Sequence, residues 1–219
     1  LGEGITRRLV KNTNNEILFD RFFSEDLPID CLSKSALQKV FDALKIVTTY
    51  PNRYTQVLAS GRLRVGTTGD YAPFSYSGDD LSFTGIDIDL ALNLAKRLDV
   101  ELILIKTSWP DLMNDLAAGL FDIAMSGVSI TPARQQHAYF SAPYHVGGKS
   151  PITLCSRVHE FSSLGAIDQP GVRAIVNPGG TNERFVDTQL RRAEKVLHQD
   201  NRTIFNELIK GKADLMITD

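Results

Sequence analysis

From Arg62 onward the apolar positions alternate between two periods. The runs "LRVGTT", "ELILIK" and "FDIAMSGV" have the length and β-branched content of buried strands. Between them lie stretches of helical period. "TGIDIDLALNLAKRLDV" sets Ile86, Leu90, Leu94 and Leu98 on one stripe, and "SWPDLMNDLAAGL" reads as a short helix closed by Gly119. This alternation predicts an α/β unit with parallel strands. The pattern then restarts, with "GVRAIV", "EKVLHQ" and "ADLMITD" as strands and "TNERFVDTQLRR" and "NRTIFNELIKGK" as helices. The extended run "YFSAPYHVGGKSPITLC" joins the two units, with Gly147 and Gly148 placed as a hinge. The expected organisation is a first α/β lobe over residues 61–147, then a hinge and second α/β lobe over 148–219. Residues 1–60 differ: "ITRRLVKNTNNEILFDRFF" and "SKSALQKVFDALKIV" read as two amphipathic helices around the breaker "DLPIDC", a helical extension of unclear role.

In sheets of this kind ligands sit outside the carboxyl ends of the strands. The polar and aromatic residues that a plain core does not need fall there: "TTGDYAPFSY" after the first strand, "TSWP" after the second and "SGVSITPAR" after the third. Singly, Asp70 fits a turn, Trp109 a core aromatic and Arg134 a solvated helix start; together they mark one edge. In the second unit, "VNPGGTNERF" carries a strand through a Pro-Gly-Gly turn into a helix with Thr181 at its mouth. Such an end presents backbone N–H groups and partial positive charge, which suits an anion. The plain alternative is a tight turn capped by Thr181.

Composition narrows the partner. With 24 basic and 26 acidic residues among 219, the formal charge of -2 gives no reason to expect nucleic acid or an acidic membrane. A small molecule fits better. No stretch reaches the ~18 apolar residues of a membrane span. Cys31 and Cys155 are too few and too far apart for a zinc site or a disulfide framework, and they leave the redox compartment open. No metal and no cofactor is called for, and the sequence from Leu1 onward contains no signal-peptide pattern.

The runs "TTGDYAPFSY", "TSWPDLM", "FDIAMSGVSIT" followed by Arg134, "YFSAPY", "GGKSPITLC", "IDQPGV", "IVNPGGTNE" and "GKADLMITD" stand in an order and spacing that resemble the cyclohexadienyl dehydratases, of the type II periplasmic solute-binding superfamily, family 3. The resemblance implies a two-lobed α/β fold, a periplasmic location, and decarboxylative dehydration of prephenate to phenylpyruvate or of arogenate to phenylalanine. The rival reading is a non-catalytic solute-binding protein that delivers an amino acid or other small carboxylate to a transporter. By resemblance, Arg134 clamps a ligand carboxylate, as a planar guanidinium does well, and Asn177, Gly180 and Thr181 meet the same anion from the second lobe. Tyr71 and Trp109 wall the ring, and Ser126, Gly127 and Ser129 complete the binding set. Asp70, Lys149 and Asp219 are the expected catalytic group, Asp70 orienting a polar group and Lys149 handling carboxylates. The family's pattern continues past "MITD" with a glutamate regarded as its general acid and a segment returning to the first lobe, whereas this sequence ends at Asp219. A strand edge left unpaired there invites association into a homo-oligomer.

Overall fold

The computed structural model describes residues 7–11, 20–22, 52–78 and 82–219, in two units, Leu1–Gly61 and Arg62–Asp219. In the first, β1 (Arg7–Lys11) and β2 (Asp20–Phe22) pair antiparallel with Arg7 opposite Arg21. This corrects the first expected helix over those residues. The sequence between the strands holds three asparagines within four positions, which compete for their own backbone and favour turns over helix. The second expected helix lies outside the described residues. Helix α1 (Arg53–Ser60) follows. The Asn52 side chain accepts the Thr55 N–H at 2.9 Å, and Gly61 ends the helix at φ +65°.

The second unit begins with β3 (Arg62–Thr67). It continues through the short β4 (Asp70–Tyr71), β5 (Ser75–Ser77) and β6 (Phe83–Thr84) to α2 (Ile86–Leu98), β7 (Glu101–Lys106), α3 (Leu112–Ala117), β8 (Ile123–Ala124) and α4 (Pro132–Gln135). β3 runs between β7 and β8, parallel to both. Helix α2 buries Asp87, Ile88, Ala91 and Ala95, while Ile86 and Leu90 face out. The stripe read from the large residues therefore packs only in part, through the half-buried Leu94 and Leu98. Alanines let this helix lie close to the sheet, and a buried carboxylate occupies its first turn. Gly66 in β3 is required by packing, since a Cβ there would lie 2.6 Å from the ring of the fully buried Phe121.

The second lobe comprises β9 (Ser150–Ile152), a 3-10 turn at Cys155–Phe161, α5 (Leu164–Ile167), β10 (Arg173–Val176), α6 (Thr181–Gln189), β11 (Glu194–Leu197), a 3-10 turn at Asn201–Thr203, α7 (Ile204–Ile209) and β12 (Leu215–Thr218). The strand order is β11-β10-β12-β9, parallel except for β9, which runs antiparallel to β12. The sheet is covered on both sides. Ala174, Val176, Leu215 and Ile217 pack against Phe161, Ile167, Val186 and Leu190, whereas Ile175 and Met216 meet Ile204, Leu208 and Ala213. The alternation is the period of two that a strand imposes. Each such fully buried aliphatic side chain contributes about 1.5–3 kcal/mol.

The two lobes repeat one device. In the first, the Asp122 carboxylate accepts the Arg64 N–H at 2.9 Å, its Nε at 3.2 Å and its Nη2 at 2.6 Å. In the second, Asp214 accepts the Arg173 N–H at 2.8 Å, its Nε at 3.1 Å and its Nη2 at 3.2 Å, and adds Arg157 Nη1 at 2.6 Å. Burial works to raise the Asp214 pKa, but the Arg173 and Arg157 hydrogen bonds prevail and hold it at about 2. Each aspartate precedes the strand that neighbours the central one, so the pair sets strand register at the end remote from the cleft.

Candidate functional site

The carboxyl ends of β3, β7, β8, β10, β11 and β12 surround one cavity. Tyr71, Trp109, Gly127, Ser129, Asn177, Gly180, Thr181, Asn182, Asn201 and Asp219 line it. Residues from both lobes contribute, and with the lobes placed as they are the enclosed space is about 20 Å³, room for roughly one water. The parallel sheets explain the convergence, because every strand that ends here is followed by a loop on the same edge.

On the first lobe the rings of Tyr71 and Trp109 meet edge-on, 6.0 Å apart. Trp109 Nε1 donates to Asp70 Oδ1 at 3.0 Å. Burial pushes the Asp70 carboxyl above its ordinary pKa, against hydrogen bonds from Thr68 and Trp109 that favour the anion. Burial, aided by the charge of Asp219, pushes the Tyr71 phenol up to about 12, so it remains a proton donor at neutral pH. Arg134 stands behind this wall, its guanidinium 6.0 Å from the centre of the Trp109 ring and its Nη1 donating to the Ser129 carbonyl at 3.0 Å. Burial lowers its pKa and Asp219 works the other way; a guanidinium stays charged under either influence.

The loop after β8 is fixed from beneath. Ser126 is fully buried, and its hydroxyl accepts the Thr68 N–H at 3.1 Å and is hydrogen-bonded to the Thr68 hydroxyl at 2.7 Å. The side chain expected to bind substrate thus ties two strand ends together and does not line the cavity. One residue on, the Gly127 N–H donates to Asp87 Oδ2 at 2.6 Å, and the other oxygen of that buried carboxylate accepts the Tyr144 hydroxyl at 2.7 Å. Gly127 adopts φ +63°, and a Cβ there would lie 2.8 Å from Tyr71 and Phe74. Asp87 therefore connects the cavity loop to the extended segment leading towards Gly147 and Gly148.

On the second lobe the turn Asn177–Gly180 leads into α6, whose cap position, Gly180, provides no side-chain hydrogen bond. The Thr181 hydroxyl does not cap the helix; it accepts from Lys149 Nζ at 2.8 Å. The same ammonium donates to Asn182 Oδ1 at 2.5 Å and pairs with Asp219 Oδ1 at 2.6 Å. Lys149 thus stands one layer behind the cavity and orients three residues that line it. The lobes meet beside these groups. Asn201 Nδ2 donates to the Asp70 carbonyl at 3.0 Å, and Arg202 Nη1 donates to the Ser77 carbonyl at 3.4 Å. Gly179, at φ +79°, approaches so closely that a Cβ would lie 2.5 Å from Pro110 N.

Of the residues read from the sequence, Tyr71, Trp109, Gly127, Ser129, Asn177, Gly180, Thr181 and Asp219 line the cavity, while Asp70, Ser126, Arg134 and Lys149 stand behind it. Asn182 and Asn201 were not anticipated. Their signal was positional, since each follows a strand of the second lobe by a few residues, on the ligand-facing edge. Among the described residues no group of three or more His, Cys, Asp or Glu could hold a metal ion, and no helix is long and apolar enough to cross a membrane.

Residues 63–158 match the profile of the bacterial extracellular solute-binding proteins, family 3. Cyclohexadienyl dehydratase of Pseudomonas aeruginosa is 55% identical over 168 residues, covering 77% of this chain and 63% of that protein. The L-cystine-binding protein of Escherichia coli is 30% identical over 164 residues, covering 75% and 61%. The chain thus spans less than two thirds of the length of these curated relatives. The crystal structure of an ancestral amino acid-binding protein, described as a precursor of cyclohexadienyl dehydratase, is 36% identical, covers 76% of this chain and 73% of that one, and superposes with a TM-score of 0.73. By that identity and coverage, and by two α/β lobes whose strand ends face a shared cavity, the chain belongs to family 3 of the bacterial extracellular solute-binding proteins and has their type II periplasmic binding fold.

Proposed function

We propose that the chain carries the ligand site of a periplasmic cyclohexadienyl dehydratase, which converts prephenate to phenylpyruvate and arogenate to phenylalanine. The observation that carries this reading is the 55% identity to the Pseudomonas aeruginosa enzyme, well above the 30% shared with the cystine-binding relative. The cavity chemistry fits. Tyr71 and Trp109 offer ring surfaces to a cyclohexadiene, Thr181 and the amino end of α6 supply donors for its carboxylates, and Arg134 behind the Trp109 ring adds positive charge.

The reaction asks little of the protein. The C1 carboxylate leaves as carbon dioxide and its bonding electrons enter the ring. The C4 oxygen departs with a proton as water, and the ring becomes aromatic. A delivered proton and a dry, shaped cleft supply most of what is needed. In this reading Lys149 holds Thr181 and Asn182 ready for the anionic end, and Asp70, fixed by Trp109, orients a polar group of the substrate.

One observation favours the second reading, capture of an amino acid without turnover: the Asp219 carboxylate lines the cavity and suits an α-ammonium group. Arogenate carries that group too. The deciding experiment follows phenylpyruvate formation from prephenate by the purified protein and its Arg134→Ala variant. Conversion by the parent protein, with kcat/KM reduced about 30-fold or more in the variant, supports the dehydratase. Tight binding of an amino acid with no conversion of prephenate refutes it.

A further inference from the structure

Asn201 opens the 3-10 turn after β11 and is 8% exposed. Its Nδ2 is spoken for by the Asp70 carbonyl, 3.0 Å away on the other lobe. That bond fixes the amide, since the atom facing a carbonyl oxygen must be the nitrogen. Its Oδ1 is buried without a partner, alone in this among the side-chain nitrogens and oxygens of the described residues. A buried acceptor left unpaired is unfavourable, and native structures retain few. A purely structural role for Asn201 is fulfilled by Nδ2 and leaves the oxygen unexplained. Asn201 also lines the cavity, beside Tyr71, Trp109, Thr181 and Asp219.

We propose that Asn201 is a ligand-contacting residue whose Oδ1 accepts a hydrogen bond from a hydroxyl or ammonium group of the molecule held in the cleft. An amide oxygen accepts and never donates, so it takes the donor-bearing end of a small carboxylate and turns the carboxylate away, towards Thr181 and Arg134. Because the other end of the same amide grips the first lobe, the residue is set for its ligand only when the lobes are together. The choice of probes rests on the dehydratase reading. Prephenate offers one donor, its C4 hydroxyl; arogenate offers that hydroxyl and an ammonium; L-phenylalanine offers the ammonium alone; and phenylpyruvate offers neither.

The test uses the single tryptophan of the chain, Trp109, whose fluorescence reports on the cavity it lines. Affinities for the four compounds are measured by rapid mixing, before turnover, for the parent protein and for Asn201→Leu. Asn201→Ala, which removes the amide without adding bulk, replaces the leucine variant if that does not fold. Loss of the bond to Asp70 weakens all four equally. Loss of the acceptor adds about tenfold for the ligands that carry the donor. An extra loss for prephenate and arogenate identifies the hydroxyl, and one for arogenate and L-phenylalanine identifies the ammonium; either supports the proposal. Equal weakening of all four, or none, overturns it, as does failure of the parent protein to bind any of them. Binding of prephenate without conversion refutes the dehydratase reading alone, because the comparison of affinities still stands.

Discussion

The Asp87 carboxylate is fully buried beneath the cavity loop, and removing it tests whether the Gly127 loop is held from below. Asp87→Ala deletes two acceptors at once, those of the Gly127 N–H at 2.6 Å and the Tyr144 hydroxyl at 2.7 Å. Hydrogen bonds to a charged group contribute about 1.5–3 kcal/mol each, and a buried donor left unpaired costs about 1–3 kcal/mol. The two bonds are not equal. Tyr144 is 55% exposed, so its hydroxyl turns to water when Asp87 is lost, whereas the Gly127 N–H sits among Tyr71 and Phe74 and has less recourse. Tyr144→Phe should therefore cost about 1 kcal/mol and Asp87→Ala about 3 kcal/mol. Asp87→Asn, which keeps one acceptor for Gly127 and offers Tyr144 a donor, should fall between them. Urea unfolding at constant m-value measures the stabilities, and Trp109 fluorescence measures ligand affinity on the same samples. The alanine variant should also bind prephenate more weakly, because Gly127 and Ser129 line the cavity. If Asp87→Ala costs no more than Tyr144→Phe, the bond to Gly127 contributes nothing and the argument fails.

Acid should expose the Asp214 cluster. Its folded pKa of about 2 lies below the ordinary value of 3.8, so its contribution is complete above the unfolded pKa and is lost as pH falls through the folded one. That contribution is about 2 kcal/mol, and Asp214→Asn should flatten the loss of urea stability between pH 4 and pH 2; an unchanged acid slope would contradict it. Gly179→Ala forces a left-handed backbone, costing about 1–2 kcal/mol, and drives a methyl into Pro110, so ligand affinity by Trp109 fluorescence should fall at least tenfold. Unchanged affinity would mean that the bound lobes do not come this close.

β3, β7, β10 and β12 were legible because each is a short, mostly apolar run bounded by turn residues, whereas β1 and β2 fall in a stretch whose apolar spacing also suits a helix. The face of α2 was legible only in part, because a stripe drawn through isoleucine and leucine overlooks the alanines that allow close packing and the aspartate that is buried by its two partners. The strand-end rule located the cavity, yet it could not rank neighbours within a loop. Ser126 and Gly127 are adjacent, and one turns inward to Thr68 while the other faces the cleft. Lys149 reads as a partner for carboxylates, but chemistry alone does not reveal that its ammonium is surrounded by Thr181, Asn182 and Asp219. Asn201 was absorbed into a helix start, where asparagine is ordinary. Its use emerges only when Asp70, far away in sequence, is placed beside it.

Where the lobes touch beside the cavity, the first lobe presents backbone: the carbonyls of Asp70 and Ser77 and the main chain of Pro110. Every residue type carries these atoms. The jaws therefore recognise each other through a feature that side-chain replacement on the first lobe leaves in place, while Tyr71 and Trp109, a few atoms away, face the ligand. On the first lobe grip and cargo are thus separable. A protein built this way can be re-lined to hold a different molecule, or to transform one it formerly only held, without relearning how to shut.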